Sequence, residues 1–338
     1  MPHRDSCKIA AIIPCWNEEK LLPRMLDSLV AQSFQDWQVF CVDDCSTDNT
    51  AKVILSYQAK DSRIHYICRD REPKGGQTCR NIGLEQASNA ELVCFFDADD
   101  FVAPYCFEQR VRYMELHPEL DCGIFPMLSY RKDLQETDGY VYGIKSFDDD
   151  LVAMLYMALP MAISTNTYRV RAMQKYHLIC DEKVITMQDS DLSFQLILSG
   201  MKYDYATEAK ADYFYHIGND GVASTIMSKD KWPSHVYLME KVANSIEQKY
   251  GTKYDQQLAV YYALVIRKIG INPKAYPALM QLPWIKQHSL FRSITRLYQV
   301  TKIEKLWGLF FFPYRQDVIR LKVIWKRQMA SKRKQLLE

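Results

Sequence analysis

The chain has 338 residues, 48% of them hydrophobic and 25% charged, with a formal net charge of +2. That length holds one large domain or a domain with an extension, and the composition excludes a disordered chain. The near balance of charge argues against a nucleic-acid binder, although eight basic residues and one acid, Asp317, crowd between Arg315 and Lys334 and leave the rest of the chain net negative.

Strand and helix patterns alternate through the first half. "KIAAIIP" is a short apolar run stopped by Pro14, suited to a buried parallel strand. Leu22, Met25, Leu26, Leu29 and Val30 follow at helical spacing and predict an amphipathic helix. "WQVFCVDD" reads as the second strand, "STDNTAKVILSYQAK" as a capped helix and "RIHYICRD" as the third strand. "GGQTCRNIGLEQAS" enters a helix from a loop, and "ELVCFFDADD" is the fourth strand. "PYCFEQRVRYMELHP" is a helix with Pro at its entrance and Pro118 at its exit. This order predicts an α/β fold, a mostly parallel sheet with helices on both faces. Further on, "CGIFPMLSYRK" and "KYDYATEAKADYFYHI" read as strands and "QDSDLSFQLILSG" as a helix closed by Gly200. From about Trp232 the chain reads as helical, with breaks at Pro273, Pro277, Pro283 and Pro313. The expected division is 1–228 for the α/β domain and 229–338 for a helical region with a basic tail.

Several of the ten cysteines lie inside the apolar runs, where a thiol acts as a small hydrophobe, and no CxxC pair occurs. The apolar stretch in "MPHRDSCKIAAIIP" is too short for a secretory signal, and no window approaches the ~20 apolar residues of a membrane span. The expectation is a reduced, cytosolic protein.

In parallel sheets, ligands bind at the carboxyl ends of the strands. Those ends carry Trp16-Asn17-Glu18, Asp43-Asp44 and Asp97 through Asp100. Carboxylates gathered at such an edge call for a cation. No GxGxxG follows the first strand and no GxxxxGK[ST] occurs, so bound phosphates need another source of positive charge. Mn²⁺ or Mg²⁺ held by Asp oxygens would supply it.

The ordered set "IIPCWNEEKLLPRMLDSLVAQSFQDWQVFCVDDCSTDNT", "GGQTCRNIGLEQA", "CFFDADD" and "MQDSDLSFQLILSG" resembles glycosyltransferase family 2, over roughly the first two thirds of the chain. The resemblance implies the GT-A fold, a Rossmann-like sheet, and a metal-dependent, inverting transfer from a nucleotide-diphosphate sugar, UDP-linked by expectation. It implies a glycan or lipid-linked acceptor, in surface polysaccharide or lipopolysaccharide assembly. It places Pro14 and Trp16, with Glu18 beside them, at the nucleobase loop, and Asp44 as the acceptor of a base hydrogen bond. Asp97 falls towards the ribose and Asp99 on the metal, with Asp100 as metal ligand or support. Arg80 and Asn81 match the element near the diphosphate. Lys74, before Gly75, stands where an Asn is common. Asp189 matches the general base. Its usual Glu neighbour is here Gln188, and Asp191 is a rival base or a substrate contact. His216 matches a late metal or diphosphate ligand, or is structural.

Two other readings stay open. A haloacid-dehalogenase-type phosphotransferase also uses Asp-x-Asp, but on the first strand. A non-catalytic nucleotide-sugar or glycan-binding module would keep Asp44 and Asp99 without needing the base. The basic tail suits an anionic membrane surface, giving a peripheral location on its inner face, or equally a helical cap whose basic side is only solvated.

Overall fold

The computed structural model describes residues 6–130, 141–145, 147–158, 160–217, 231–269, 275–289, 292–293 and 336. The apolar runs form the strands β1 (Ile9–Cys15), β2 (Trp37–Asp43), β3 (Ile64–Cys68) and β4 (Leu92–Phe95). Between them lie helices α1 (Leu22–Val30), α2 (Thr50–Gln58) and α3 (Gly76–Gln86). Leu22, Met25, Leu26 and Leu29 of α1 are buried as their spacing predicts, whereas Val30, the last helical residue, is 43% exposed. α3 lies close against β1: a Cβ on Gly83 would overlap Cγ2 of Ile12, so glycine permits the approach that brings the start of α3 to the end of β1.

The remaining elements are β5 (Phe101–Val102), α4 (Cys106–Leu116), β6 (Cys122–Ile124), β7 (Met127–Tyr130), β8 (Val141–Tyr142), α5 (Asp150–Leu155), β9 (Asn166–Arg169), α6 (Val170–Tyr176), α7 (Gln188–Ser199), β10 (Tyr203–Tyr205) and β11 (Tyr213–His216). The C-terminal region supplies α8 (Trp232–Tyr250), α9 (Asp255–Ile269), α10 (Ala275–Gln281) and α11 (Pro283–Gln287). Seven strands form one sheet in the order β10-β6-β9-β4-β1-β2-β3. All of its neighbours are parallel except for β9, which runs antiparallel to both β4 and β6.

The sequence reading missed a second sheet, β5-β11-β7-β8. "CGIFPMLSYRK" is not one strand: β6 joins the large sheet and β7 the small one, with Pro126 between them. Proline has no N–H to extend a ladder, and the chain changes sheets there. In the same way β10 and β11 divide the second aromatic stretch between the sheets. An ion pair, Arg110 Nη2 to Asp212 Oδ1 at 2.7 Å, lies fully buried, with further hydrogen bonds from Arg110 to Thr167 and to the Ser164 carbonyl. A buried pair survives desolvation only when its remaining donors are satisfied in this way.

The helices α8 to α11 share an apolar cluster with α5 and α7, through Leu155, Phe194, Met239, Tyr261 and Trp284. The boundary expected at 228/229 and the basic tail both fall outside the described residues. All ten cysteines are free, eight of them buried. Among the described residues no helix is long and apolar enough to cross a membrane.

Candidate active site

β1, β2 and β4 run parallel, so their carboxyl ends open on one edge, with Cys15 in register with Asp43 and Ile12 with Phe95. The loop after β1 is fastened to the loop after β2. The Thr47 N–H donates to Asn17 Oδ1 at 2.8 Å, the Glu18 N–H to Thr50 Oγ1 at 2.8 Å, and the Asn49 side chain to Glu19 Oε2 at 2.8 Å. Asp43 closes its own turn, accepting the Ser46 N–H at 3.0 Å. Asp44 is buried and accepts from Arg69 Nε at 2.5 Å, so its charge is balanced. Above it Trp16 is 48% exposed, with the Lys74 ammonium 4.5 Å from its ring centre. Pro14 is partly buried at the end of β1.

Gly75 precedes α3 at φ 142°, a conformation that favours glycine. One turn on, Arg80 joins three elements. Its Nη2 donates to Asp97 Oδ1 at 2.6 Å and its Nη1 to Gln188 Oε1 at the start of α7, while Gln188 Nε2 donates to Gln77 Oε1 at 2.8 Å. Asn81 faces elsewhere: it donates to the Cys180 carbonyl at 2.8 Å and accepts the Cys180 N–H at 3.0 Å, pinning the segment that leads to α7.

The carboxylates after β4 differ sharply in what surrounds them. Asp100 has no exposed surface; it accepts the Tyr213 hydroxyl at 2.5 Å on one oxygen and the His216 backbone N–H at 2.7 Å on the other. Burial raises its carboxyl well above the ordinary range, with Asp99 and Asp97 adding to the effect. The Tyr213 hydroxyl also accepts the Asp97 N–H at 3.0 Å, so one tyrosine of the small sheet sets the loop of the large one. Asp99 keeps a partly exposed side chain, raised to about 6 by burial and then by Asp97. Glu18 is raised to about 7, by burial and then by Asp99, Asp48 and Asp97. The His216 ring packs against Tyr130, with centroids 5.3 Å apart.

Asp189 lies in the first turn of α7, where Oδ1 accepts the Ile163 N–H at 2.8 Å. Burial raises its carboxyl and Asp97 raises it further, against the Ile163 N–H and Arg80. Asp191 is turned away to α8. It is 2% exposed, with Lys241 Nζ at 2.6 Å on one oxygen and Gln195 Nε2 at 2.8 Å on the other.

The edge therefore gathers Glu18, Asp97, Asp99, Arg80, Gln188 and Asp189, while Asn81, Asp100 and Asp191 are engaged in holding elements together. The sequence reading passed over Arg24 and Tyr213. Arg24 donates to the Asp99 carbonyl and places its guanidinium 5.4 Å from the Phe101 ring centre. Its charge next to an apolar helix face carried no distinguishing pattern.

A family profile described as glycosyl transferase family 2 matches residues 10–176. Residues 10–176 belong to this family. The matched range includes Asp44, Arg80, Asp97 and Asp99 and stops before α7. Among curated relatives, the GalNAc(5)-diNAcBac-PP-undecaprenol beta-1,3-glucosyltransferase of Campylobacter jejuni is 37% identical over 93 residues, 28% of this chain and 30% of that protein. The poly(ribitol-phosphate) beta-N-acetylglucosaminyltransferase TarS of Staphylococcus aureus is 31% identical over 112 residues, 32% of this chain and 19% of TarS. The chain thus spans well under half the length of the curated relatives it matches. The crystal structure of S. aureus TarS with UDP-GlcNAc superposes with a TM-score of 0.62 at 19% identity, covering 97% of this chain and 92% of that one. A mannosyltransferase from Pyrobaculum calidifontis with GDP-Man and Mn²⁺ gives 0.53 at 16% identity, covering 97% and 87%. The shared fold is the GT-A α/β architecture.

Among the described residues no three ligating side chains form a ready-made metal centre. The donor set still fits a hard divalent cation. Asp97 and Asp99 are oxygen donors at one loop, burial and then neighbouring carboxylates raise both Glu18 and Asp99, and Mg²⁺ is ordinarily held by one or two carboxylates with substrate phosphates completing its shell.

Proposed function

We propose that this protein is an inverting, metal-dependent glycosyltransferase that moves a sugar from a UDP-linked donor to a hydroxyl of a glycan or lipid-linked acceptor. The observation that carries this reading is the convergence on one sheet edge of repelling carboxylates, Glu18, Asp97 and Asp99, with Asp189 joined to them through Arg80 and Gln188. UDP-GlcNAc in a structural neighbour and the undecaprenol-linked and poly(ribitol-phosphate) substrates in relatives' names support the donor and acceptor classes.

Mn²⁺ or Mg²⁺ held by Asp99 and Asp97 would neutralise charge on the departing diphosphate. Arg80 fixes the Asp97 side chain and the start of α7, keeping the two halves of the site in register. Asp189 takes the proton from the acceptor hydroxyl, whose oxygen attacks the anomeric carbon from the face opposite the diphosphate, inverting it. Asp100 positions its neighbours and binds no substrate. A panel of nucleotide sugars, tested for Mn²⁺-dependent hydrolysis, checks the reading; no turnover of any of them would overturn it.

Asp44 assigns the base. It accepts from the uracil N3–H on the oxygen that Arg69 does not use, with the Trp16 ring stacking on the pyrimidine. Leaving buried polar groups unpaired costs about 1–3 kcal/mol, so Asp44→Ala is expected to weaken UDP by about ten- to a hundredfold in titration calorimetry. Unchanged affinity would remove Asp44 from the donor site.

The segment 315–334 extends the proposal to an anionic membrane surface, where its basic residues meet lipid phosphates. Full-length protein is expected to float with vesicles containing phosphatidylglycerol and to lose them at high salt. Equal flotation of a chain cut before Arg315 would refute this.

A further inference from the structure

Of the ten cysteines, Cys45 and Cys68 are the two that are exposed, and they lie side by side. β2 and β3 are parallel neighbours in which Asp43 pairs with Cys68, so the chain leaves both strands at the same edge. The Arg69 N–H donates to the Asp43 carbonyl at 2.9 Å and holds the two exits together. Cys45 stands two residues beyond β2 at φ 59°, a left-handed conformation that is uncommon outside glycine, asparagine and aspartate.

The two thiols share one acceptor. Cys45 Sγ lies 4.0 Å and Cys68 Sγ 3.7 Å from the Arg69 carbonyl oxygen. Partial burial raises the Cys68 thiol, and Cys45, within hydrogen-bond reach of it, raises it further. A thiol is a weak donor, so little holds either side chain against rotation towards the other. A second pair, Cys15 with Cys41, is also within hydrogen-bond reach. Those two are 1% and 0% exposed inside the sheet, out of reach of a soluble oxidant.

The place of the exposed pair gives its chemistry a consequence. Asp44 precedes Cys45 and Arg69 follows Cys68, and Arg69 Nε donates to Asp44 Oδ1 at 2.5 Å. Arg69 Nη2 also donates to Cys45 Sγ at 3.7 Å. One guanidinium therefore touches both the carboxylate assigned to the uracil and one of the two thiols. Drawing Cys45 onto Cys68 takes the sulfur from Arg69 and pulls on the turn that carries Asp44.

We propose that Cys45 and Cys68 form a reversible disulfide by exchange with a low-molecular-weight disulfide such as oxidised glutathione, and that this cross-link weakens binding of the donor's UDP. The effect on the donor rests on the reading of Asp44 above; the disulfide does not. The Cys45 thiolate attacks one sulfur of the oxidant, whose S–S bond breaks to release one glutathione thiolate. The Cys68 thiolate then attacks the Cys45 sulfur of the mixed disulfide and expels the second glutathione. Two protein thiols lose two electrons and two protons, and one glutathione disulfide becomes two thiols. The raised Cys68 thiol suits the second step, since the sulfur it attacks is already beside it.

The test treats the full chain with oxidised glutathione and follows it by intact mass and peptide mapping. The expected product has lost two hydrogens and carries a Cys45–Cys68 cross-linked peptide, with Cys15 and Cys41 still reduced. In titration calorimetry the oxidised form should bind UDP about tenfold more weakly, and dithiothreitol should restore the original affinity. Cys68→Ser is expected to stop after the first step, keeping one glutathione on Cys45 and forming no cross-link. No reaction, stable glutathione on both cysteines of the unaltered protein, or a cross-link between other cysteines would overturn the proposal. A complete Cys45–Cys68 cross-link with unchanged UDP affinity would overturn it as well. A cross-link in a protein that binds no UDP even when reduced would retain the disulfide and remove its effect on the donor, together with the reading of Asp44.

Discussion

Asp189→Asn is expected to lower sugar transfer by about 10²–10⁴-fold, the usual contribution of a positioned general base, while UDP affinity changes by less than about threefold. The substitution keeps the size of the side chain, and an amide oxygen can still accept the Ile163 N–H. Only the capacity to take a proton is lost. The raised carboxyl of Asp189 also fixes the sign of the pH dependence. Transfer needs the ionised form, so the rate should fall as pH drops through the raised value and level off above it. Asn at this position should abolish that limb of the profile. Asp191→Asn gives the contrasting result. It weakens the contact with Lys241 and loosens α7 on α8, a matter of stability, while chemistry persists. An active Asp189→Asn enzyme with a dead Asp191→Asn enzyme would reverse the assignment, measured by initial rates on the same donor and acceptor.

Removing divalent cations with EDTA is expected to abolish turnover, and added Mn²⁺ to restore it in the unaltered protein but not in Asp99→Ala. Asp99 is partly exposed, its carboxyl raised to about 6 by burial and then by Asp97 against the nearby Arg24 charge, whereas Asp100 has both oxygens filled by protein donors. Asp100→Ala should therefore act differently, by freeing Tyr213 and the His216 backbone N–H and destabilising the contact between the sheets. An Asp99→Ala enzyme with full Mn²⁺-dependent activity, or full turnover in EDTA, would remove the metal from the proposal. Thermal melting separates the two variants: a lower midpoint is expected for Asp100→Ala, and little change for Asp99→Ala.

The alternation of β1, α1, β2, α2, β3, α3 and β4 was legible because each element states its burial in its own period. A fully apolar run suits a strand covered on both faces, and apolar residues at helical spacing suit a helix lying on a sheet. β9 gave no such signal. "NTYR" is polar and short, yet all four residues are buried, because Asn166 donates to the Tyr168 hydroxyl at 2.7 Å and the Arg169 guanidinium donates to the Leu120 carbonyl at 2.8 Å. Its identity as a strand depends on β4 and β6, between which it runs antiparallel. The small sheet was hidden for the same reason, since β5 and β8 have two residues each and exist only through β11 and β7.

The sequence by itself determined that acidic residues would stand at the carboxyl ends of parallel strands, since strand ends and their turn residues are local features. Only the tertiary structure decided what each carboxylate does there. Asp97, Asp99 and Asp100 are near neighbours in the chain, but Asp100 is consumed by Tyr213, 113 residues away, while Asp97 is met by Arg80 from another helix. Asp189 and Asp191 are two residues apart, yet a turn of α7 sends one to the sheet edge and the other to Lys241, 50 residues on. Charge and spacing specify that a carboxylate is present; whether it is free to bind or already neutralised depends on partners that only folding brings within a few ångströms.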